Sequence, residues 1–320
     1  MSTVNTKLNR QVPGGRGHAA HPPLRPWKTV LIAASVSIVG MTLVYGLSQW
    51  RRTIACDPRF CINTADLKLV QDTSWMTPEI AGEIRASLAS LPPRLSLMDH
   101  AASRRVAECL EANPWIRKVY HVRLDSPKAA GQSNGLEVSM AFRRPVAFVE
   151  IGQGDLARYV LVDCEGVRLG DREYAEPELG DRRLVVLTGV PTQPPTPGVV
   201  WADHAVIAGA QVADLLKNRA ADFGLCRIDV GNVEKRLDRR EPEIVLYTKR
   251  SATRVVWGKP PGREAELLEN ITARGKIQLL DQAYARFGGL HEAVEEINLV
   301  LRSVRPNAAP MRDGRATIRG

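Results

Sequence analysis

Between Lys28 and Arg51 the chain runs for 22 residues without a charge, TVLIAASVSIVGMTLVYGLSQW. At about 1.5 Å per helical residue this stretch reaches roughly 30 Å, the thickness of a bilayer's hydrocarbon core. Trp27 and Trp50 bracket it, where indole rings favour the membrane interface. A cleaved signal peptide would have a shorter apolar region and a small-x-small cleavage site. This segment instead ends in Ser-Gln-Trp-Arg-Arg, so it reads as a retained anchor over residues 28–50.

The anchor divides the charge unevenly. Of the formal net charge of +9, five units fall in residues 1–50, which contain no acid, and three in residues 304–320. One unit remains for the 253 residues between. A folded nucleic-acid-binding domain concentrates positive charge on a structured face, and basic tails around a near-neutral body exclude that class. Residues 1–27 and 304–320 therefore read as disordered basic tails. Orientation is not settled by charge: Arg10, Arg16, Arg25 and Lys28 precede the anchor, and Arg51, Arg52, Arg59 and Lys68 follow it, a tie under the positive-inside rule.

The five cysteines, Cys56, Cys61, Cys109, Cys164 and Cys226, are odd in number and widely spaced. Cys56 and Cys61 are candidates for a disulfide if their side of the membrane is oxidising. Cys109, Cys164 and Cys226 read as small core residues. No spacing of Cys or His suits zinc.

Beyond the anchor the pattern is α+β. Ile62–Val70 reads as a strand. Thr77-Pro78-Glu79 is a helix start, with a capping hydroxyl, proline in the first turn and an acid at the positive end of the dipole, and that helix runs to about Leu91. A second helix after Asp99 places Ala102, Val106, Cys109 and Leu110 on one face. Ile116–Leu124 is read as a strand with Ile116, Tyr120, Val122 and Leu124 on one face. Leu136, Val138, Met140 and Phe142 alternate as a second strand. These elements make a compact unit over 51–144. Residues 145–303 turn mainly to strands: a hairpin of Tyr159–Asp163 and Val167–Leu169, strands at Leu184–Leu187, Leu225–Val230, Ile244–Thr248 and Arg254–Trp257, and a last strand at Ile297–Leu301. A helix is expected over Asp203–Arg219, with Ala208, Val212, Leu215 and Leu216 inward, and another from Arg263 carrying Leu267, Ile271 and Leu280.

Catalytic patterns are absent. His18, His21, His100, His121, His204 and His291 share no local motif. Gly258-Lys-Pro-Pro-Gly262 lacks phosphate-loop spacing, and its prolines remove the N–H donors such a loop needs. Asp163-Cys164-Glu165 sets two carboxylates beside a thiol, but reads as a polar hairpin tip. The chain is therefore expected to be no enzyme, with no cofactor, metal or small-molecule substrate.

Three stretches carry a resemblance over residues 60–303. The first is Ala107-Glu-Cys-Leu-Glu-Ala-Asn-Pro-Trp-Ile-Arg-Lys-Val119. The second is Leu136-Glu-Val-Ser-Met-Ala-Phe-Arg-Arg-Pro-Val-Ala147 with Tyr159-Val-Leu-Val-Asp-Cys-Glu-Gly-Val167. The third is Ile244-Val-Leu-Tyr-Thr248 through Val255-Val-Trp-Gly258 to the Ile297-Asn-Leu299 strand. Their order behind a single anchor resembles the extracytoplasmic part of the FtsQ/DivIB family of bacterial cell-division proteins. Departures mark a divergent member: Arg143 stands where the family commonly has glutamate, and Asn298-Leu299-Val300 replaces its usual acidic-then-arginine ending.

The resemblance implies a cytoplasmic N-terminus, a POTRA-like β-α-α-β-β domain at 51–144, and a mainly antiparallel β-domain with helices at 145–303. It also implies a place in the inner membrane at the division septum. The role implied is a non-catalytic divisome scaffold that regulates septal peptidoglycan synthesis by binding FtsB/FtsL-type (DivIC/FtsL) bitopic proteins. The last strand, with Ile297, Asn298, Leu299, Val300, Leu301, Arg302 and Ser303, is the expected partner-binding edge, so Leu299→Pro is expected to abolish binding. Three other classes compete, a POTRA-bearing protein of envelope assembly or translocation, a membrane-anchored cell-wall enzyme, and a bitopic sensor, for which the 28 residues expected in the cytoplasm are too few for an output domain. The first usually ends in a membrane barrel. The second would need Asp163 or Glu165 for function.

Overall fold

The computed structural model describes residues 26–55, 61–63, 67–69, 73–96, 99–125, 135–152, 154–179, 182–249, 253–264, 271–290 and 294–306. The chain divides into two compact units, Met1–Asp57 and Pro58–Gly320.

The first unit contains helix α1 (Pro26–Ala55), which begins on a proline, the residue that best tolerates a first turn. Its Val30–Trp50 stretch has a mean hydropathy of 2.1, and its apolar side chains are exposed all round. The few hydroxyls bond back into the helix: Ser37 Oγ donates to Ala33 O at 2.9 Å and Ser48 Oγ to Tyr45 O at 2.8 Å. A helix in lipid must satisfy its polar groups internally in this way. α1 is long and apolar enough to cross a membrane.

The second unit opens with short strands β1 (Cys61–Asn63) and β2 (Leu67–Leu69), where one continuous strand was expected. Helix α2 (Pro78–Leu88) starts as read: Thr77 Oγ1 accepts the Ile80 N–H at 3.4 Å. Strand β3 (Arg94–Ser96) follows and pairs with β1. Helix α3 (Ala102–Glu111) buries Ala102, Val106 and Leu110. Strands β4 (Ile116–Asp125) and β5 (Gly135–Phe142) pair antiparallel, and β2 joins β5 in parallel.

β5 buries Leu136, Val138 and Met140 as its alternation requires. β4 departs from expectation. Register breaks between Ile116 and Lys118 and between Val119 and His121 shift its faces, because each bulge inserts an extra residue. Val119 is consequently buried, and Tyr120, expected inside, is 59% exposed.

The remaining strands are β6 (Ala147–Ile151), β7 (Arg158–Val162), β8 (Arg168–Tyr174), the small hairpin β9 (Glu178–Leu179) and β10 (Arg182–Arg183), β11 (Val185–Thr188), β12 (Leu225–Asp229), β13 (Ile244–Thr248), β14 (Arg254–Gly258), β15 (Val294–Asn298) and β16 (Ser303–Pro306). Nine of them form one sheet, in the order β16-β15-β14-β13-β12-β11-β6-β7-β8. The sheet is mixed. β6–β11, β11–β12 and β14–β15 are parallel, and the other five pairs are antiparallel.

Two of the parallel pairs are bridged by the remaining helices, since a parallel connection needs a crossover. Helix α4 (His204–Leu216), capped by Asp203, links β11 to β12, and helix α5 (Ala273–Phe287) links β14 to β15. α5 begins ten residues after the expected Arg263, where Thr272 Oγ1 accepts the Gly275 N–H at 3.3 Å. It ends on Gly288 in the left-handed conformation. Five α-helices stand among the described residues.

The large sheet has two packed faces. One carries α4 and α5 over Val149, Leu187, Leu246, Trp257 and Ile297. α4 sits close enough that a Cβ on Gly209 would come within 2.9 Å of Leu187 Cδ2. On the other face, Phe148, Leu161 and Leu169 complete the core of α2, α3, β4 and β5. The layer formed by residues 61–142 therefore shares its hydrophobic core with the large sheet.

A candidate interaction edge

The residues expected to bind a partner do not form one strand. Ile297 and Asn298 end β15, which is hydrogen-bonded on both sides, to β14 and to β16. The Asn298 side chain terminates it: Oδ1 accepts the N–H groups of Val300 (3.1 Å) and Leu301 (2.9 Å), a local bond that competes with the sheet ladder. Arg302 then takes a positive φ of 53°, and the chain turns back into β16 with Ser303. Leu299 is fully buried, and its N–H donates to Val256 O at 3.1 Å. Ile297 and Leu299 therefore belong to the core. Leu301, 73% exposed, sits at the hairpin tip, and Arg302 and Ser303 are exposed beside it.

β16 is the outer strand. All four of its residues are exposed, and among the described residues nothing pairs with its outer side. Backbone polarity alternates along a strand. Leu299 N–H points to β14, so Asn298 and Glu296 turn to β16, where their register partners are Ser303 and Arg305. Val304 N–H and C=O accordingly face outward. Pro306 has no N–H to present, which shortens the open ladder. Arg305 lies 3.9 Å from Glu295, and Arg254 of β14 holds Glu296 at 2.8 Å.

Two other edges are covered. Beyond β8, residues 198–200 run alongside, with Arg168 N–H donating to Val199 O at 3.1 Å and Gly198 N–H to Arg168 O at 2.8 Å. On β4, Glu111 Oε1 accepts the Val119 N–H at 3.0 Å at the bulge. Bulges and plugged donors are standard protection for a sheet edge; the β15–β16 register slips once, between Val294 and Glu296 opposite Arg305 and Pro306, and is regular from Glu296 to Asn298 opposite Val304.

The carboxylates around Cys164 have a different task. Asp163 is buried, and its Oδ1 accepts the N–H groups of Glu165 (2.9 Å) and Val167 (2.8 Å), building the β7–β8 turn. Arg143 bonds Asp163 Oδ2 at 2.6 Å and Glu165 Oε2 at 2.7 Å, and Arg117 also reaches Glu165. Burial, then the neighbouring carboxylates, pushes the Cys164 thiol up, away from the thiolate a nucleophile needs. The cluster fastens the end of β5 and the start of β4 to the hairpin. Sequence reading missed this clamp, although Arg143 had stood out as unusual.

The other flagged residues are dispersed. Lys259 of the Gly-Lys-Pro-Pro-Gly turn forms a buried ion pair with Glu243 at 3.1 Å. His204 pairs with Glu234 at 2.6 Å on the surface. Cys61 is half-buried on β1, and Cys56 lies outside the described residues. Among the described residues no group of three or more His, Cys, Asp or Glu side chains is placed to hold a metal.

No family model matches the chain. A search of curated proteins likewise finds no match.

Proposed function

We propose that this chain is a membrane-anchored, non-catalytic scaffold of the bacterial division machinery, and that it holds a bitopic partner by adding a strand to β16. The resemblance to the FtsQ/DivIB family supplies the biological setting: N-terminus in the cytoplasm, residues 51–144 as a POTRA-like domain, residues 145–303 as the β-domain beyond it, and FtsB/FtsL-type proteins as partners. The observation that carries the binding mode is the open outer side of β16. Main-chain bonds from Val304 would give affinity, and the exposed Leu301 and Val304 side chains would add apolar contact.

Val304→Pro tests the proposal in the full chain, co-expressed with the FtsB/FtsL-type proteins. The substitution removes an outward N–H and leaves the β15–β16 bonds of Ser303 and Arg305 in place. Co-purification of the partner is expected to be lost while unfolding shifts by less than about 1 kcal/mol. Retained co-purification by a folded Val304→Pro protein would refute strand addition at β16.

A further inference from the structure

The face of the large sheet opposite α4 and α5 is not covered evenly. Over β6–β8 it carries the layer of residues 61–142. Farther on, loop residues Leu237, Asp238 and Glu241 stand over Val245 and Tyr247. Between these covers a groove of about 530 Å³ remains, walled by the β9–β10 hairpin on one side and by the Ala220–Leu225 corner and Lys249 on the other.

The floor is apolar at its centre. Leu184 and Val186, at β11 between β6 and β12, are only partly buried there, Tyr159 of β7 lies beyond Glu150, and all three pack from behind against the core of α2, α3, β4 and β5. The ends are oppositely charged. Glu150 and Glu176 line one end, beside a Glu178 already paired with Arg183 at 2.6 Å. At the other end stand Lys249 and Arg227, the latter laid over the Tyr247 ring at 4.4 Å. No described hydrogen bond or ion pair engages the carboxylates of Glu150 and Glu176 or the ammonium of Lys249.

The spacing defines what fits. Glu150 on β6 and Arg227 on β12 are separated by two strand intervals, about 10 Å, and by two residues along the strands, about 7 Å, or roughly 12 Å in all. Three residues of an extended chain rise roughly 10 Å, and the reach of their charged end side chains covers the difference. The volume lies within the usual range for a ligand site, about 300–1,000 Å³.

We infer that this groove is a second docking site, taking an extended segment of a protein partner that bears a basic residue, two apolar residues and an acidic residue in sequence. The basic side chain lies between Glu150 and Glu176, the apolar pair covers Leu184 and Val186, and the acid meets Lys249 and Arg227. The site lies four strands from β16 and does not depend on strand addition there.

The test uses the full chain in detergent and a panel of labelled, end-capped tetrapeptides Lys-x-x-Glu and Glu-x-x-Lys, with x drawn from Val, Leu and Phe, read by fluorescence anisotropy. At least one peptide is expected to bind saturably. Replacing its Lys or Glu by Gln is expected to weaken it about tenfold, the weight of one charge-assisted hydrogen bond. Glu150→Gln with Glu176→Gln, or Lys249→Gln alone, is expected to do the same without moving the unfolding midpoint. Val304→Pro is expected to leave peptide binding unchanged. The inference fails if no peptide in the panel saturates, if binding ignores the charge changes, or if it disappears with Val304→Pro instead, which would place the peptide on the sheet edge.

Discussion

Trp115 lies against Gly170 so closely that a β-carbon on the glycine would come within 3.3 Å of the indole Cζ2. The same indole donates from Nε1 to Glu83 Oε2 at 2.6 Å, and Asn113 Nδ2 donates to the Glu83 carbonyl at 3.3 Å. The Asn-Pro-Trp sequence thus joins α2, the start of β4 and the edge strand β8 at one point. Pro114 extends the joint to Gly198, where a β-carbon would meet it at 3.7 Å. A Pro-Trp pair that in the sequence carries only a family likeness has a physical task here, that of locking two layers together.

Gly170→Ala is accordingly expected to destabilise the second unit by about 2 kcal/mol. Gly170 holds φ at +63°, a conformation costing an L-residue roughly 1–2 kcal/mol, and the new methyl would also crowd Trp115. Urea unfolding of the protein, read by tryptophan fluorescence, measures the change. A loss below about 0.5 kcal/mol would mean the joint yields easily and the layers are not locked through it.

Much of this fold was legible wherever it depends on local pattern. Thr77 caps the helix it was expected to cap, the helix expected from Asp203 begins there, and Leu136, Val138 and Met140 face inward because nothing disturbs their alternation. Expectations failed where a distant or side-chain-mediated event intervenes. Bulges turned Tyr120 outward and Val119 inward. Leu215, expected inside α4, is 41% exposed. The last strand was read as continuous through Ser303, because composition alone does not show that Asn298 closes the ladder with its own side chain. The edge was thus expected in the right hairpin and on the wrong strand. The Arg143 clamp could have been found only by asking which opposite charges Asp163 and Glu165 meet after folding.

Arg143→Gln tests that clamp. It leaves the buried Asp163 without its cation, a loss of about 3 kcal/mol for a buried pair broken on one side. The pH dependence has a definite sign. The Arg143 bond, with Arg117 adding to it and partial burial opposing, holds the Glu165 carboxyl below its ordinary value of 4.5. A carboxyl depressed in the folded state stabilises the fold above its unfolded pKa, and that contribution disappears as pH falls through the folded one. The Glu165 share is small because its side chain is 38% exposed and screened. The stability gap between the unaltered protein and Arg143→Gln is expected to narrow as pH is lowered from about 6 to about 3. A gap that is constant across this range would assign the clamp's effect to packing rather than charge.

The position of Leu299 changes what a proline there would report. Because Leu299 is buried and bonded to Val256, Leu299→Pro removes a ladder bond inside the sheet and is expected to cost at least about 3 kcal/mol. Loss of partner binding in that variant would follow from unfolding. The pair Val304→Pro and Leu299→Pro, compared by thermal melting, is therefore expected to separate: a near-unchanged transition for the first and a strongly lowered one for the second. Equal melting temperatures would contradict the placement of Leu299 in the core.

The apolar helix makes the last prediction. With about 21 residues of uninterrupted hydropathy exposed on every side, α1 has, among the described residues of its own unit, no protein surface to bury it. Water is a poor solvent for so much apolar area, roughly 25 cal/mol for each Å² left exposed. The full chain is expected to stay in the membrane pellet through an alkaline carbonate wash. A chain beginning at Pro58, which keeps the whole second unit, is expected to appear in the aqueous fraction with its urea transition unchanged. Release of the full chain by carbonate would show that α1 only adheres to membranes. A truncated chain that still pellets while folded would mean that a second membrane contact lies on the 58–320 unit.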